Sequence, residues 1–311
     1  MREDEQVEAS EGLLGPLLLA RSGINRSAEL RRNRAWLERA WADDERTRVV
    51  LVHDGRAPVR HDGDGARLVL LPPAQTPDGD RYLLGLDDDG VAYFAVRAKA
   101  VPGELADERW EGLRRAGALL GDRDAGLLVN AVALEAWHAT HEHCPRCGAR
   151  TEISAGGHVR VCPADGSEHF PRVDPAVIML VHHGDRCLLA RGPQWPENRF
   201  SVLAGFVEPG ESLEQAVVRE VAEEVGVTVT APRYLGSQPW PFPRSLMLGF
   251  FARAISTELR IDPDEIAEAR WLSRTELREA VESGEIMLPG QVSIARRLIE
   301  TWYGGHLPGD W

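Results

Sequence analysis

The strongest constraint on this chain lies in one segment past its middle. Gly205-Phe206-Val207-Glu208-Pro209-Gly210-Glu211 is followed by seven residues and then by Arg219-Glu220-Val221-Ala222-Glu223-Glu224-Val225-Gly226-Val227. Gly205 and Gly210 permit a tight loop. Ser212 is placed to cap a helix, with Gln215 completing a capping box, and Gly226 to end that helix. At about 100° per residue, Val217, Val218, Val221, Ala222 and Val225 cover one side, while Glu220, Glu223 and Glu224 gather on the other. Glu220 and Glu224 are like charges at i, i+4, a cost of roughly a few tenths of a kcal/mol. Arg219 can offset Glu223 at i+4 but not all three. A bare E-x-x-E-E is more often a solvated acidic face. Carboxylates crowded opposite an apolar face also suit a hard divalent cation with oxygen ligands.

The complete pattern, G-x5-E-x7-R-E-U-x-E-E-x-G-U with U aliphatic, decides between these readings, because every specified position is filled. In this segment the chain resembles the Nudix hydrolase superfamily. The resemblance implies an α/β/α sandwich over roughly residues 170–305 and a loop–helix–loop that binds Mg²⁺ or Mn²⁺. It also implies cleavage of a nucleoside diphosphate linked to another moiety. Glu220 and Glu224 are then the main metal ligands, with Glu223 beside them as ligand or general base. Glu265, in Asp264-Glu265-Ile266-Ala267-Glu268, matches a further metal-binding or basic Glu; its plain alternative is a surface acid at a helix start.

Downstream, Ser237-Gln238-Pro239-Trp240-Pro241-Phe242-Pro243-Arg244-Ser245 holds three prolines and two aromatics. Proline lacks a ladder donor, so this segment is expected to be a rigid loop presenting Trp240 and Phe242 rather than a central strand. It resembles S-Q-P-W-P-F-P-x-S of the NADH pyrophosphatase branch, which also shares the layout of N-terminal domain, Cys-rich insert and catalytic domain. The branch implies hydrolysis of NADH or NAD⁺ to AMP and nicotinamide mononucleotide, removal of NAD caps from RNA 5′ ends, and a homodimer. Phe170 and Phe206 match aromatic positions that stack the dinucleotide's rings. Ser245 and Met247 match substrate-contacting positions, Ala295 a small residue that lets adenine approach, and Trp240 a nicotinamide contact. A Nudix hydrolase for another diphosphate, such as a dinucleoside polyphosphate or ADP-ribose, is the alternative; a catalytically dead sensor would have no need of the crowded carboxylates.

Cys144-Pro-Arg-Cys147-Gly is a knuckle-type C-x2-C-G, and Cys162 follows. A zinc ribbon needs a fourth ligand, and Asp165 stands where the branch carries another cysteine. Three thiolates with Asp165, His158 or His169 could hold a structural zinc. Cys187 sits in a buried-strand pattern.

Composition bounds the rest. The 311 residues carry 36 basic and 49 acidic side chains, a formal charge of −13, which argues against a broad footprint on DNA or RNA. The acidic start Met1-Arg2-Glu3-Asp4-Glu5 is unlike a signal peptide, and no apolar run approaches a membrane span. A cytoplasmic protein without membrane contact is expected. Three parts are read from the pattern: an N-terminal α+β domain (1–140), structural or dimerising; a zinc-ribbon-like insert (141–170); and the Nudix domain (171–311). No internal repeat is visible. Strands are expected at 47–52, 67–71, 82–86, 91–96, 176–181, 186–190, 200–203 and 246–255, and helices at 108–120, 122–140, 212–225, 275–282 and 291–303.

Overall fold

Thr47–Val52 and Ala92–Arg97 are buried at almost every position, as strands covered on both faces are. The computed structural model, which describes residues 14–309, places them side by side and parallel. Two compact units result. Among the described residues the first comprises Leu19–Val173 with Trp240–Arg244; the second comprises Leu14–Leu18, Asp174–Pro239 and Ser245–Gly309. The acidic start Met1–Glu5 lies outside the described residues.

In the first unit, helix α1 (Arg34–Trp41) precedes β1 (Thr47–Val52), β2 (Arg56–Asp62), β3 (Gly65–Leu68), β4 (Leu70–Leu71), β5 (Arg81–Leu86), β6 (Ala92–Arg97) and β7 (Arg109–Gly112). One sheet has the order β4-β1-β6-β5 and a second the order β3-β2-β7. A single helical turn, α2 (Leu113–Ala116), leads to α3 (Asp122–Thr140), which packs on β1 and buries Leu127, Leu128, Ala131 and Leu134. The helix expected at 108–120 is therefore corrected. Residues 109–112 pair with β2, and Gly112 and Gly117 bracket the short turn. The Cys-rich insert adds a small sheet from β8 (Glu152–Ser154), β9 (Val159–Val161) and β10 (Glu168–His169).

The second unit begins with β11 (Asp174–His183), β12 (Arg186–Arg191) and β13 (Leu203–Phe206), followed by α4 (Leu213–Val225). Then come β14 (Val229–Trp240), β15 (Ser245–Ala254), β16 (Glu268–Ser273), α5 (Arg274–Glu282) and α6 (Ile294–Tyr303). The sheet runs β14-β15-β11-β12-β16, with β13 also on β11. Alternate residues of β11 serve opposite faces. Val177, Met179 and Val181 pack with Val217, Val221 and Val225 of α4, while Ile178 and Leu180 pack with Ile294 and Leu298 of α6. Each such buried side chain contributes about 1.5–3 kcal/mol. This is an α/β/α sandwich.

Two sequence expectations shift here. The strand read at 200–203 forms at 203–206. The rigid loop expected at 237–245 begins as the end of β14, an edge strand, and turns only at Pro241–Arg244. An edge strand has one side free of ladder bonds, which accommodates Pro239.

A repeat absent from the sequence is present in the topology. In both units the first strand has a parallel neighbour (β1–β6, β11–β15) and an antiparallel one (β1–β4, β11–β13). The second strand pairs with the last (β2–β7, β12–β16). A helix covers the first strand in each (α3, α6). Where the second unit inserts α4, the first has only a short 3₁₀ turn, Pro73–Gln75.

Candidate active site

The acidic helix forms as its ends dictate. Ser212 accepts from the Gln215 backbone N–H at 3.2 Å while Gln215 Oε1 accepts from the Ser212 N–H at 3.0 Å, closing the capping box. Gly226 adopts φ 70° and ends the helix. The acidic side is not a solvated face. Glu220 and Glu224 are each only 8% exposed, whereas Glu223 is exposed.

Arg219 organises this face. Its guanidinium donates to both carboxylate oxygens of Glu211 at 2.8 Å, to Glu220 at 2.8 Å, to Glu223 at 3.0 Å and to the Phe206 carbonyl at 2.8 Å. It thus offsets Glu220 as well as Glu223, and it holds the Glu211 carboxyl down at about 2. Glu224 lies beyond its reach. Its Oε2 is buried with no hydrogen-bond partner among the described residues. Burial, followed by the charges of Glu220, Glu265 and Glu223, pushes its pKa up to about 8. Burial also raises Glu220, against the pull of Arg219. An orphaned buried carboxylate oxygen facing other carboxylates fits a divalent cation, whose charge would offset both the desolvation and the repulsion.

Glu265 sits on a turn rather than at a helix start. The turn is tied to the end of α4: the Asp262 N–H donates to the Glu224 carbonyl at 3.0 Å, and Arg260 to the Val225 carbonyl at 2.8 Å. Glu224 and Glu265 consequently line one cavity of about 340 Å³. Gly192-Pro193-Gln194-Trp195 also lines it, which sequence reading missed; the only signal was an aromatic between prolines.

Strand register places three expected substrate contacts. Ala176 pairs with Phe206 on one side and Met247 on the other, and Asp174 pairs with Ser245. Aligned neighbours share a sheet face. Phe206, Met247 and Ser245 therefore lie on the α6 face, where Met247 packs against the core that contains Ala295. Phe206 itself is 59% exposed, and Ala295 is buried in α6. The acidic helix covers the opposite face, to which Gly205 belongs.

The remaining expected contacts lie in the first unit. Phe170 is 61% exposed just after β10. Trp240 packs edge-on against Phe242 at 4.9 Å between centroids. The Arg114 guanidinium lies over both rings, at 4.9 and 4.3 Å.

The cysteine insert also assembles. Cys144, Cys147, Cys162 and Asp165 bring one ligand atom each within 4.8 Å of one another. Cys147 and Cys162 sulfurs are 3.4 Å apart, and Cys144 Sγ lies 3.6 Å from Asp165 Oδ2. Burial opposes ionisation of Cys144, but the Arg146 and Cys147 backbone N–H groups, with Ser167 and His169, outweigh it and bring the thiol down to about 6. Three thiols and a carboxylate at this spacing fit a closed structural zinc site. His158 is not a member, since its Nε2 bonds the Leu83 carbonyl at 2.7 Å. Cys187 is buried and its thiol is pushed up to about 12 by burial.

Fold and carboxylate cluster together define a metal-dependent hydrolase of the Nudix class. Comparison with known proteins agrees along the chain. The NUDIX domain profile matches residues 172–289, the NADH pyrophosphatase zinc ribbon domain residues 139–170, and the NADH pyrophosphatase-like rudimentary NUDIX domain residues 32–137. The last match accounts for the repeated topology. The NAD-capped RNA hydrolase NudC of Mycobacterium bovis (strain BCG / Pasteur 1173P2) is 42% identical over 92% of this chain and 94% of its own length. The human NAD-capped RNA hydrolase NUDT12 is 40% identical over 70% of this chain and 51% of its own. A solved NUDIX hydrolase from Nitrosomonas europaea aligns at TM-score 0.43 and 20% identity over 55% of this chain and 96% of that one. The chain belongs to the Nudix hydrolase superfamily, in the NAD-capped RNA hydrolase branch. Among the described residues no helix is long and apolar enough to cross a membrane.

Proposed function

We propose that this chain hydrolyses the pyrophosphate of NADH and NAD⁺ to AMP and nicotinamide mononucleotide, and removes NAD caps from RNA 5′ ends. The observation that carries the hydrolytic reading is the orphaned Glu224 Oε2, buried beside Glu220 in a cavity it shares with Glu265. The substrate assignment is supported by the Ser237–Ser245 segment and by the relatives that span nearly the whole chain.

In this reading Glu220, Glu224 and Glu265, with the more exposed Glu223, hold Mg²⁺ or Mn²⁺ and carry the catalysis. A cation held there would offset phosphate charge and make a water more acidic. Water oxygen bonds to one phosphorus as the bridging P–O bond breaks, and a carboxylate of the cluster takes the water's proton. Arg219 contributes by fixing the Glu220 rotamer before substrate arrives. The exposed Phe206 ring stacks a heterocycle of the dinucleotide on the α6 face, alongside Ser245, Met247 and the small Ala295. Gly205, its neighbour on β13, faces the opposite side, where the absence of a side chain lets the Glu220 carboxylate lie against the strand. Phe170 and Trp240 are assigned to the same substrate, and the protein acts as a homodimer in the cytoplasm.

The test is a hydrolysis panel with NADH, NAD⁺, ADP-ribose, diadenosine polyphosphates and NAD-capped RNA. Preference for NADH, NAD⁺ or capped RNA supports the reading. Faster turnover of ADP-ribose or a diadenosine substrate transfers the assignment to another nucleoside diphosphate derivative.

A further inference from the structure

A second cavity, of about 600 Å³, lies within the first unit. Its walls come from the β1–β2 turn, the end of β6, β7, α2, α3 and Pro241–Pro243. Its acidic members are partly engaged: Asp54 lies 3.7 Å from His53, and Glu111 keeps one oxygen, Oε2, buried without a partner among the described residues. Glu135 accepts from the Gly55 N–H at 2.9 Å, and Glu111 Oε1 lies 3.2 Å from His61 and 3.3 Å from Arg115. Of its four guanidiniums only Arg115 is paired with a carboxylate among the described residues. Arg56 and Arg97 make no ion pair or side-chain hydrogen bond with the described residues. Arg114 meets only the faces of Trp240 and Phe242 and has its pKa lowered by burial alone. In a chain of formal charge −13, where most arginines that line a cavity could find a carboxylate, three uncommitted guanidiniums at one cavity are unexpected.

We propose that this cavity is a second ligand site, which takes a nucleotide through its phosphate group, and that it lies outside the carboxylate centre of the other unit. Guanidinium forks match phosphate oxygens bidentately, and Trp110 and Phe242 supply apolar surface for a base. The volume suits one or two nucleotides. Nothing in the cavity resembles a hydrolytic cluster, and the unit has a 3₁₀ turn in place of the acidic helix, so the site binds without turnover. The phosphate could belong to a free nucleotide or to the nucleotides of an RNA 5′ end; the chemistry of recognition is the same.

The test uses the full-length Glu224→Gln protein with no added Mg²⁺ or Mn²⁺, which silences hydrolysis and leaves the zinc-ribbon cluster undisturbed, titrated calorimetrically with ADP and, separately, with a 5′-phosphorylated trinucleotide RNA. Arg56→Gln/Arg97→Gln is compared in the same background, with Arg56→Lys/Arg97→Lys as a charge-retaining control and circular dichroism to confirm folding. The expected result is at least a tenfold loss of affinity for one of the two probes in the Gln pair, partly restored in the Lys pair. The arm that responds identifies the source of the phosphate. Unchanged binding of both probes, or equal loss in the Lys and Gln pairs, overturns the proposal. NADH turnover in an otherwise unaltered protein carrying the Gln pair is read alongside: the proposed hydrolysis stands or falls there, independently of the second site.

Discussion

The carboxylate of Glu220 occupies the space that a side chain at residue 205 would need: a β-carbon on Gly205 would fall directly on it. The glycine's role is therefore close approach rather than backbone freedom. β13 passes so near α4 that only hydrogen fits between the strand and a candidate metal ligand. Gly205→Ala is expected to push the flexible end of Glu220 away from Glu224 and from Arg219. Over-packing of this kind costs about 1–3 kcal/mol, and the displaced ligand should weaken Mg²⁺ dependence about 10–100-fold. A metal titration of activity beside a thermal melt measures both. An unchanged metal midpoint would show that Glu220 is not a ligand.

Arg219 satisfies Glu211, Glu220, Glu223 and a backbone carbonyl at once. Lysine keeps the charge but cannot reproduce the forked geometry. Arg219→Lys is expected to lower NADH turnover at least tenfold, with a smaller loss than Arg219→Ala, and to shift the metal midpoint upward. Equal kinetics for the Lys variant and the unaltered protein would leave Arg219 with a charge role only.

Much of this was legible in advance, and the limits are instructive. The capping box, the valine face and the Gly226 terminus of α4 are local consequences of residues three or four apart, so the helix could be placed almost to the residue. That Glu220 and Glu224 are buried could not be seen, because burial depends on β13 and on the 260–262 turn, both distant in sequence. Arg219 reaching Glu220 and Glu211 together has the same origin. The Ser237–Trp240 strand was missed because proline's cost depends on whether a strand lies at an edge, which is a property of the sheet. The repeated topology shows no repeat to direct reading of the chain, since the first unit dispenses with the helix that carries the signature; only the family profile detects it.

Asp165 stands where the ribbon expects a fourth thiolate, and it lies within reach of all three cysteines. The purified protein is expected to contain about one zinc per chain by elemental analysis. Cys147→Ser should lose it, Asp165→Cys should keep it, and Asp165→Ala should lower both zinc content and the thermal midpoint. Zinc content unaffected by Asp165→Ala would assign the fourth position to another group, such as His169, which shares a 3.0 Å contact with Ser167.

Two buried histidines give the first unit a pH dependence. His138 stacks on Tyr82, accepts from Arg160 at 2.9 Å and donates to the Gly157 carbonyl at 2.8 Å; His158 donates to Leu83. Burial, reinforced by Arg160 and Arg97 around His138 and by Arg31 and Arg26 around His158, lowers each to about 4. The folded state thus favours neutral imidazole, while the unfolded chain protonates near 6.5. Stability is full above about 6.5 and falls as pH drops toward 4, by roughly 1.4 kcal/mol per unit for each group. Urea midpoints at pH 7.5 and 5 should show this loss, reduced in His138→Gln. A midpoint independent of pH across that window would contradict it.

The central claim is that Glu224, whose buried Oε2 has no partner among the described residues, holds a cation needed for NAD(H) hydrolysis. Its most direct test is the rate at which NADH gives AMP and reduced nicotinamide mononucleotide, followed by chromatography with Mg²⁺ or Mn²⁺, in excess chelator, and in Glu224→Gln. The expected result is turnover with either metal, none in chelator, and a loss of about 100-fold or more in the variant. Full turnover in chelator, or a variant as fast as the unaltered protein, would contradict it.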